Sequence, residues 1–475
     1  MHQNALFRRE NRGFYLLLGV FLLCMTVVFL LSGGYGNNAF YADPGRLFYP
    51  EPDNRDAYMM QTDALLKGQL HLDITPSKEL LALENPYDPH QREGVEYVWD
   101  FAFYKGQYYS YFGVVPVVLL LLPIRLITGQ FLSTYWSAFF LGLAAAAALA
   151  FLYRKLVFRF APNASKKTVL CTLVALLFGS NLLFLCARSW FYEIPYQSGL
   201  LLVFLSLIAL LKAEESGKNT PLFFAGLTAA LAVGCRPVYL LCFLIHLPFL
   251  FPYLKQPKRA VFMKIAVYGV PILTVGMLLG IYNLLRFDSF TQFGAVYQLT
   301  VSDIRENRIF DLPKQAEGFL RYLLQPIGLR EEFPFLALSE LEFTSAANGM
   351  YSHPVVGLLQ YPVVWGLFFP IFLWKAEKNT LLWRGFWAAG LFTLFATLAL
   401  VIGTAGIMER YTLDFQWLAM LLGLLSLLRI SEREKRPAIE YLLILCSGVT
   451  VLFGLCIGSM GEFSRMLVHL NALFL

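Results

Sequence analysis

Charge is scarce in this chain. Asp, Glu, Lys and Arg make up 15% of its 475 residues, against 57% apolar residues, and Phe alone occurs 43 times. A soluble fold of this length would divide into two or more domains with polar surfaces. Instead, apolar runs of about 20 residues recur, the length that spans a hydrocarbon core about 30 Å thick. Cysteine is also sparse. All seven (Cys24, Cys171, Cys186, Cys235, Cys242, Cys446, Cys456) sit in apolar runs and none in a long polar loop. That excludes a disulfide framework and a cysteine-built metal site, and leaves small packing residues. The net charge of +6 does not gather on soluble surface, because most Lys and Arg stand in short loops between apolar runs. A nucleic-acid partner is therefore not expected. The first apolar run follows a basic "RRENR" start but is long and lacks a small-residue cleavage site, so it reads as a retained anchor.

What is present is an all-α polytopic membrane pattern. Spans are expected near 14–32, 132–153, 168–187, 195–211, 221–235, 237–252, 264–285, 354–374, 385–405, 411–428 and 438–458, about eleven in all. Two long polar stretches interrupt them, roughly 33–112 and 286–353. The chain divides into 1–32 (N-terminus and first span), 33–131 (first polar loop with surface or re-entrant helices), 132–285 (a helical bundle), 286–353 (second polar loop) and 354–475 (C-terminal spans).

The segment "YFGVVPVVLLLLPIRLITG", residues 111–129, contains Pro116, Pro123 and Arg125 and is short for a crossing. Charge bias arbitrates. If the segment does not cross and the N-terminus is cytoplasmic, the loops containing "RKLVFRFAPNASKK", "KAEESGK", "YLKQPKRAVFMK", "KAEKNTLLWR" and "RISEREKRP" share that side. With the N-terminus they hold 21 of the 38 basic residues and, counting Glu440, 7 of the 32 acidic ones. The other side then holds 17 basic and 25 acidic residues. A crossing would invert every later loop, so 113–128 is expected to be re-entrant or to lie at the outer surface, covered by protein wherever its backbone is irregular. Both polar loops are then extracytoplasmic.

Four polar groups converge on the outer ends of the spans. In "PEPDNRDAYMMQTDALLKGQ", Asp53 reads as a helix N-cap with Asp56 at the third position. Such capping also holds a carboxylate rigidly at the membrane surface. In "RSWFYEIPY" a short turn puts Arg188 and Glu193 close to the bilayer, where ionisable residues are expensive and tend to be functional; the plain alternative is an ion pair stapling the turn. In "GCRPVY" Arg236 ends one span, with a snorkelling side chain as the plain alternative. In "MERYTLDF", Glu409, Arg410 and Asp414 stand at the entrance of a late span, and a Glu–Arg pair there is a common structural device. Carboxylates beside a membrane-level arginine set suit one reaction class. Departure of a lipid-linked sugar phosphate develops charge that Arg can stabilise, and an Asp can take the proton of the incoming hydroxyl.

These stretches resemble, in order along most of the chain, the C-type (GT-C) polytopic membrane glycosyltransferases, the group holding protein O-mannosyltransferases and the lipid A aminoarabinose transferases. "DNRDAYMMQTDALLKGQLHLD" resembles the acidic start of that group's first outer loop. "DFAFYKGQYYSYFGVVPVVLLLLPIRLITG" resembles its Pro-bearing segment, and "RSWFYEIPYQSGLLLVFLSLIAL" its arginine, acidic-x-Pro turn. "LTAALAVGCRPVYLL", "YNLLRFDSFTQFGAVYQLT" and "ERYTLDFQWLAML" resemble its later motifs. The resemblance implies transfer of a sugar from polyprenyl phosphate to a glycan, lipid or protein acceptor, by one inverting displacement. It implies a first-loop Asp as base, and Arg188, Arg236 and Arg410 holding the donor phosphate. It also makes Glu193 a sugar or acceptor contact. The family's Asp stands a few residues before an aromatic. Here Asp56 precedes Tyr58 by two positions and Asp53 by five, so the base stays open between them, with Asp56 preferred and Asp100 third. The charged residues some members carry beside the Pro are missing around Pro116. No cofactor is called for, no metal ligands are named, and a divalent metal stays an open alternative. The implied setting is a bacterial plasma (inner) membrane with the site facing outside. A polysaccharide polymerase or ligase, using His353, remains an alternative, as does a lipid-linked sugar transporter or flippase; the span interiors are almost free of charge, which weighs against the transporter. A receptor or scaffold using the acidic loop is a third.

Overall fold

The structure is a computed structural model that describes residues 3–32, 46–329, 331, 335–339, 353–369 and 381–458. It is predominantly helical. Among the described residues, seven helical segments are long and apolar enough to cross a membrane: Arg12–Leu30, Thr134–Phe160, Ile194–Ser216, Pro237–Lys255, Lys258–Phe287, Leu381–Thr404 and Pro437–Gly458. They account for seven of the expected spans.

The other four take different forms, each with a local cause. The run at 168–187 breaks into Lys166–Gly179 and Leu182–Ala187, because Asn181 adopts a left-handed conformation (φ 65°). Asn219–Cys235 is helical over 17 residues, stopped by Arg236 and Pro237. The described part of 354–374 forms 3-10 turns, Leu358–Gln360 and Pro362–Phe368, and the remainder lies outside the described residues. The run at 411–428 opens as a 3-10 turn, Glu409–Asp414, and becomes the helix Gln416–Glu434, which is buried around nearly its whole N-terminal circumference. Such all-round burial marks a helix in the middle of the bundle. Its Gly423 lets a neighbouring backbone approach: a Cβ there would lie 2.4 Å from the Val363 carbonyl oxygen.

The 111–129 segment forms the helical stretch Val117–Thr128, about 18 Å long at 1.5 Å per residue and so short of the bilayer core. The chain entering and leaving this excursion pairs with itself. Strand Phe48–Tyr49 runs antiparallel to Phe131–Leu132, and the Ser133 amide donates to the Leu47 carbonyl at 2.9 Å. Residues 50–130 therefore leave and return at one level of the bundle.

The all-helical expectation is modified in and beside the polar stretches, where three two-stranded antiparallel pairs occur among the described residues. One is the hairpin Ala102–Tyr104 with Gln107–Tyr109, turned by Lys105 and Gly106 at positive φ. The two polar stretches also pack as one body. Asp100 and Phe101 exchange backbone hydrogen bonds with Leu299, Arg92 donates to the Thr300 carbonyl, and Asn85 bonds Asp303. Among the described residues, 286–339 hold one α-helix after the end of Lys258–Phe287, Leu312–Leu324, with 3-10 turns and a strand pair, Ile327–Leu329 with Leu336–Leu338. Residues 340–352 lie outside the described residues.

Candidate active site

The helix Ala57–Leu66 begins where the sequence changes from turn formers to "AYMMQTDALL". Its N-cap is Asp56, not Asp53 as the sequence suggests. The reason is local. Asp53 turns its side chain to the backbone and guanidinium of the neighbouring exposed Arg55, and its carbonyl takes the Asp56 amide at 2.9 Å. Asp56 Oδ1 then accepts from the Tyr58 and Met59 amides at 3.0 Å each, and Thr134 Oγ1 donates to Oδ2. Asp56 is buried. Burial pushes its pKa up to about 6, against the hydrogen bonds from Thr134, Met59 and Tyr58. Tyr58 is fully buried beside it, its hydroxyl without a hydrogen-bond partner, and it feels the charges of both Asp56 and Arg236.

Arg236 ends the Asn219–Cys235 helix in an extended conformation, which turns its side chain along the end of the bundle. Its Nε lies 2.9 Å from both oxygens of Asp414, and a terminal nitrogen lies 2.7 Å from Oδ2. The guanidinium also stacks 4.0 Å over the Tyr196 ring. Gly113 holds the first loop against this helix end: a Cβ there would lie 2.2 Å from the Cys235 carbonyl oxygen and 2.4 Å from that of Gly234. Glycine is required for such a close approach. Residue 56 and residue 236 thus stand at the same end of the bundle.

Arg410 is different. Its guanidinium lies 4.4 Å over the Tyr192 ring and 5.4 Å from that of Tyr411, and among the described residues no carboxylate comes within 4.0 Å of it. Tyr192 in turn donates to Asp100 Oδ2, which Tyr111 also reaches at 3.3 Å, while Gln298 donates to Oδ1. Asp100 is half-buried and left-handed (φ 66°). Burial raises its pKa, against the Tyr192 hydrogen bond and the Arg410 charge.

Glu193 precedes the Ile194–Ser216 helix, and the Pro195 beside it suits the first helical turn. Glu193 is buried, and its Oε2 has no hydrogen-bond partner. Burial pushes its pKa up to about 7, opposed first by Arg410 and then by Arg188. Glu409 is buried too but satisfied: Asn181 Nδ2 donates to Oε1 at 2.8 Å and the Val356 amide to Oε2 at 3.0 Å. Its pKa is likewise pushed up to about 7 by burial. Arg188 lies 4.2 Å over the Phe184 ring and acts electrostatically on both glutamates.

These groups form a crescent, from Asp56 and Tyr58 past Arg236, Asp414 and Tyr196 to Arg410, Tyr192, Glu193 and Asp100, then to Arg188 and Glu409. An aromatic row, Tyr58, Phe112 and Tyr192, runs along it with centroid spacings of 5.9 and 5.5 Å. Asp56, Asp100, Arg188, Glu193, Arg236 and Arg410 are joined along it by the contacts and charges described above, while the Asp53 side chain is turned to Arg55. Three further polar residues were missed in the sequence. Asn181 lay inside an apparently continuous span, and its type alone, a left-handed-tolerant amide in an apolar run, was the available signal. Thr134 and Gln298 carry no such signal. Among the described residues, no three His, Cys, Asp or Glu side chains gather as metal ligands. The chain matches no family model, no curated protein and no solved structure.

Proposed function

We propose that this protein transfers a sugar from a polyprenyl-phosphate donor to an acceptor hydroxyl at the extracytoplasmic face of a bacterial plasma membrane. The shorter helices would complete the membrane domain to about eleven crossings in a GT-C-like arrangement. One observation carries the reading: a half-buried arginine with no carboxylate partner, Arg410, stands beside a buried carboxylate with a free oxygen, Glu193. A guanidinium at this level whose N–H donors no carboxylate contacts among the described residues is open to an anion, and phosphate takes its donors well. In this reading Arg410 and Arg188 hold the donor phosphate, and Arg236, neutralised by Asp414, shapes the wall instead of binding. Glu193 Oε2 accepts from a hydroxyl of the sugar or acceptor.

The reaction is one displacement. The acceptor oxygen bonds to the anomeric carbon as that carbon's bond to the phosphate oxygen breaks. The phosphate leaves with the bonding pair, stabilised by the arginines, and the hydroxyl proton passes to Asp56. A carboxyl with its pKa near 6 is ionised at neutral pH yet basic enough to take that proton. The cap through Tyr58 and Met59 keeps it in place.

The test is transfer of radiolabelled sugar from a synthetic polyprenyl-phosphate sugar by the protein in nanodiscs, with Arg410→Gln as the variant. Loss of transfer with retained folding supports the reading. Donor binding and turnover that are indifferent to Arg410 would remove its foundation.

A further inference from the structure

The helix Leu312–Leu324 is turned inside out. Lys314, Gln315 and Arg321 are buried, at 8%, 9% and 6% exposure, while Leu312, Leu320 and Leu324 are 79%, 48% and 49% exposed. Pro313 and Ala316 are exposed as well, and Ile309 and Phe310 continue the apolar surface ahead of the helix. The spacing 312, 316, 320, 324 places these side chains along one helix face. Facing water, a row of leucines this long is unfavourable.

The polar face is used inward. Lys314 Nζ donates to the Gly403 carbonyl at 3.1 Å, and Gln315 Nε2 donates to the Ala399 carbonyl at 2.9 Å. Both carbonyls belong to the last two turns of the apolar span Leu381–Thr404, and that of Gly403 is among the last four, which lack intrahelical donors. Gly318 allows the close approach, since a Cβ there would lie 2.6 Å from Ile402. The helix therefore lies at the height where that span ends, which is the boundary of the bilayer. Its apolar face is also continuous with lipid-facing surface: Phe319 stacks on Phe395 at 6.3 Å, and Phe392 and Phe395 of the span are exposed.

We propose that Leu312–Leu324 is an interfacial helix bedded in the lipid leaflet at the end of the bundle that carries the crescent. It lies in the plane of the membrane with its leucines among the acyl chains, about 5–10 Å deep as such helices do. It also holds part of the candidate site. The Tyr322 hydroxyl donates to the Gly406 carbonyl at 3.1 Å and accepts from the Met408 amide at 3.0 Å, directly before Glu409 and Arg410. The leaflet thereby supports the turn that carries Arg410. This inference needs only that the protein is membrane-embedded, not that it transfers sugar.

Depth measurement tests it independently of activity. The full-length protein in phosphatidylcholine–phosphatidylglycerol nanodiscs carries Leu320→Cys, Leu324→Cys or, as an aqueous reference in the first loop, His90→Cys, each labelled with an environment-sensitive fluorophore. The unsubstituted protein is the labelling blank. The expected result at 320 and 324 is blue-shifted emission, lost on adding lipids spin-labelled high on the acyl chain and unaffected by iodide, with the reverse at 90. Iodide quenching at 320 and 324 equal to that at 90 would overturn the proposal. So would blue-shifted emission that lipid spin labels do not quench, which would mean a second copy covers the stripe. For the unsubstituted protein, photoactivatable lipid should crosslink to the 312–324 peptide; absence of that adduct, with adducts on Leu381–Thr404 present, would count equally against it.

Discussion

Arg236 and Asp414 bind each other through two nitrogens, with contacts of 2.9, 2.9 and 2.7 Å, across 178 positions of sequence. The Asp414 side chain is fully buried and that of Arg236 is 21% exposed. This pair ties the end of the Asn219–Cys235 helix to the start of Gln416–Glu434.

Removing one partner should therefore destabilise the protein. Arg236→Gln leaves a buried carboxylate unpaired, at about 3–5 kcal/mol for a fully buried pair and less here because the arginine reaches solvent. The double variant Arg236→Met with Asp414→Leu should recover much of that loss. Thermal unfolding of the three proteins in one detergent measures the coupling, and additive losses would refute it.

Arg410 should behave oppositely. Arg410→Gln breaks no ion-pair contact and removes only the through-space charge felt by Glu193 and Asp100, so the melting temperature should fall less than in Arg236→Gln. Donor binding should weaken about 10- to 100-fold, the value of a charged hydrogen bond of roughly 1.5–3 kcal/mol. Titration with the polyprenyl-phosphate sugar reads this, with the bare polyprenyl phosphate as the second probe.

At residue 56 cap and base can be separated. Asn caps helices as well as Asp, so Asp56→Asn should remain folded while transfer falls about 10²–10⁴-fold. Asp56→Ala should in addition lose about 0.5–2 kcal/mol of stability. Asp53→Asn, altering a carboxylate paired to the exposed Arg55, should change neither by much. An active Asp56→Asn enzyme would return this residue to a purely structural role.

Glu193 predicts a pH signature. Its folded pKa, near 7, lies above the ordinary glutamate value of 4.5, so the folded protein binds more protons than the unfolded chain between those values. Stability should then fall as pH rises from about 4.5 to 7 and level off above. Glu193→Gln should flatten that slope without lowering stability at neutral pH, while reducing transfer. Melting curves across the range, followed by tryptophan fluorescence, decide it; Glu409 and Asp56, pushed up the same way, contribute slope of the same sign.

Gly113→Ala should be disruptive for so small a change. The added methyl meets the Gly234 and Cys235 carbonyls, and overpacking of this kind typically costs about 1–3 kcal/mol. The first loop should loosen from the Arg236 helix end, read as faster proteolysis within 50–130 while the bundle stays intact.

Much of this was legible in the residues. The long apolar runs identified seven membrane-length helices, because length and hydropathy are local properties. The pairing of Phe48–Tyr49 with Phe131–Leu132 bears on the reading of 111–129 as an excursion on one side, which had rested on two prolines and a charge count. The broken helix at Asn181 was not legible. In "LLFGSNLLFLCA" the residue type of Asn181 is the one local hint of a break, and the amide's partners, Glu409 and Thr412, stand more than 200 positions away. The N-cap was misplaced from Asp56 to Asp53 because both satisfy the local pattern; burial and the Thr134 hydroxyl chose between them.

Residue order alone determined that this chain is built for a bilayer and that its rare charges sit at helix ends, since transfer of each segment into hydrocarbon is decided one segment at a time. Which of those charges cancel and which stay open was decided only by the packed bundle. Arg188, Arg236 and Arg410 look alike along the chain, and only the neighbour each meets makes Arg236 part of a buried ion pair and sets Arg410 over an aromatic ring, with Glu193 and Asp100 felt through space but, among the described residues, no carboxylate in contact. Electrostatic pairing acts over a few ångströms of space, whatever the separation in sequence.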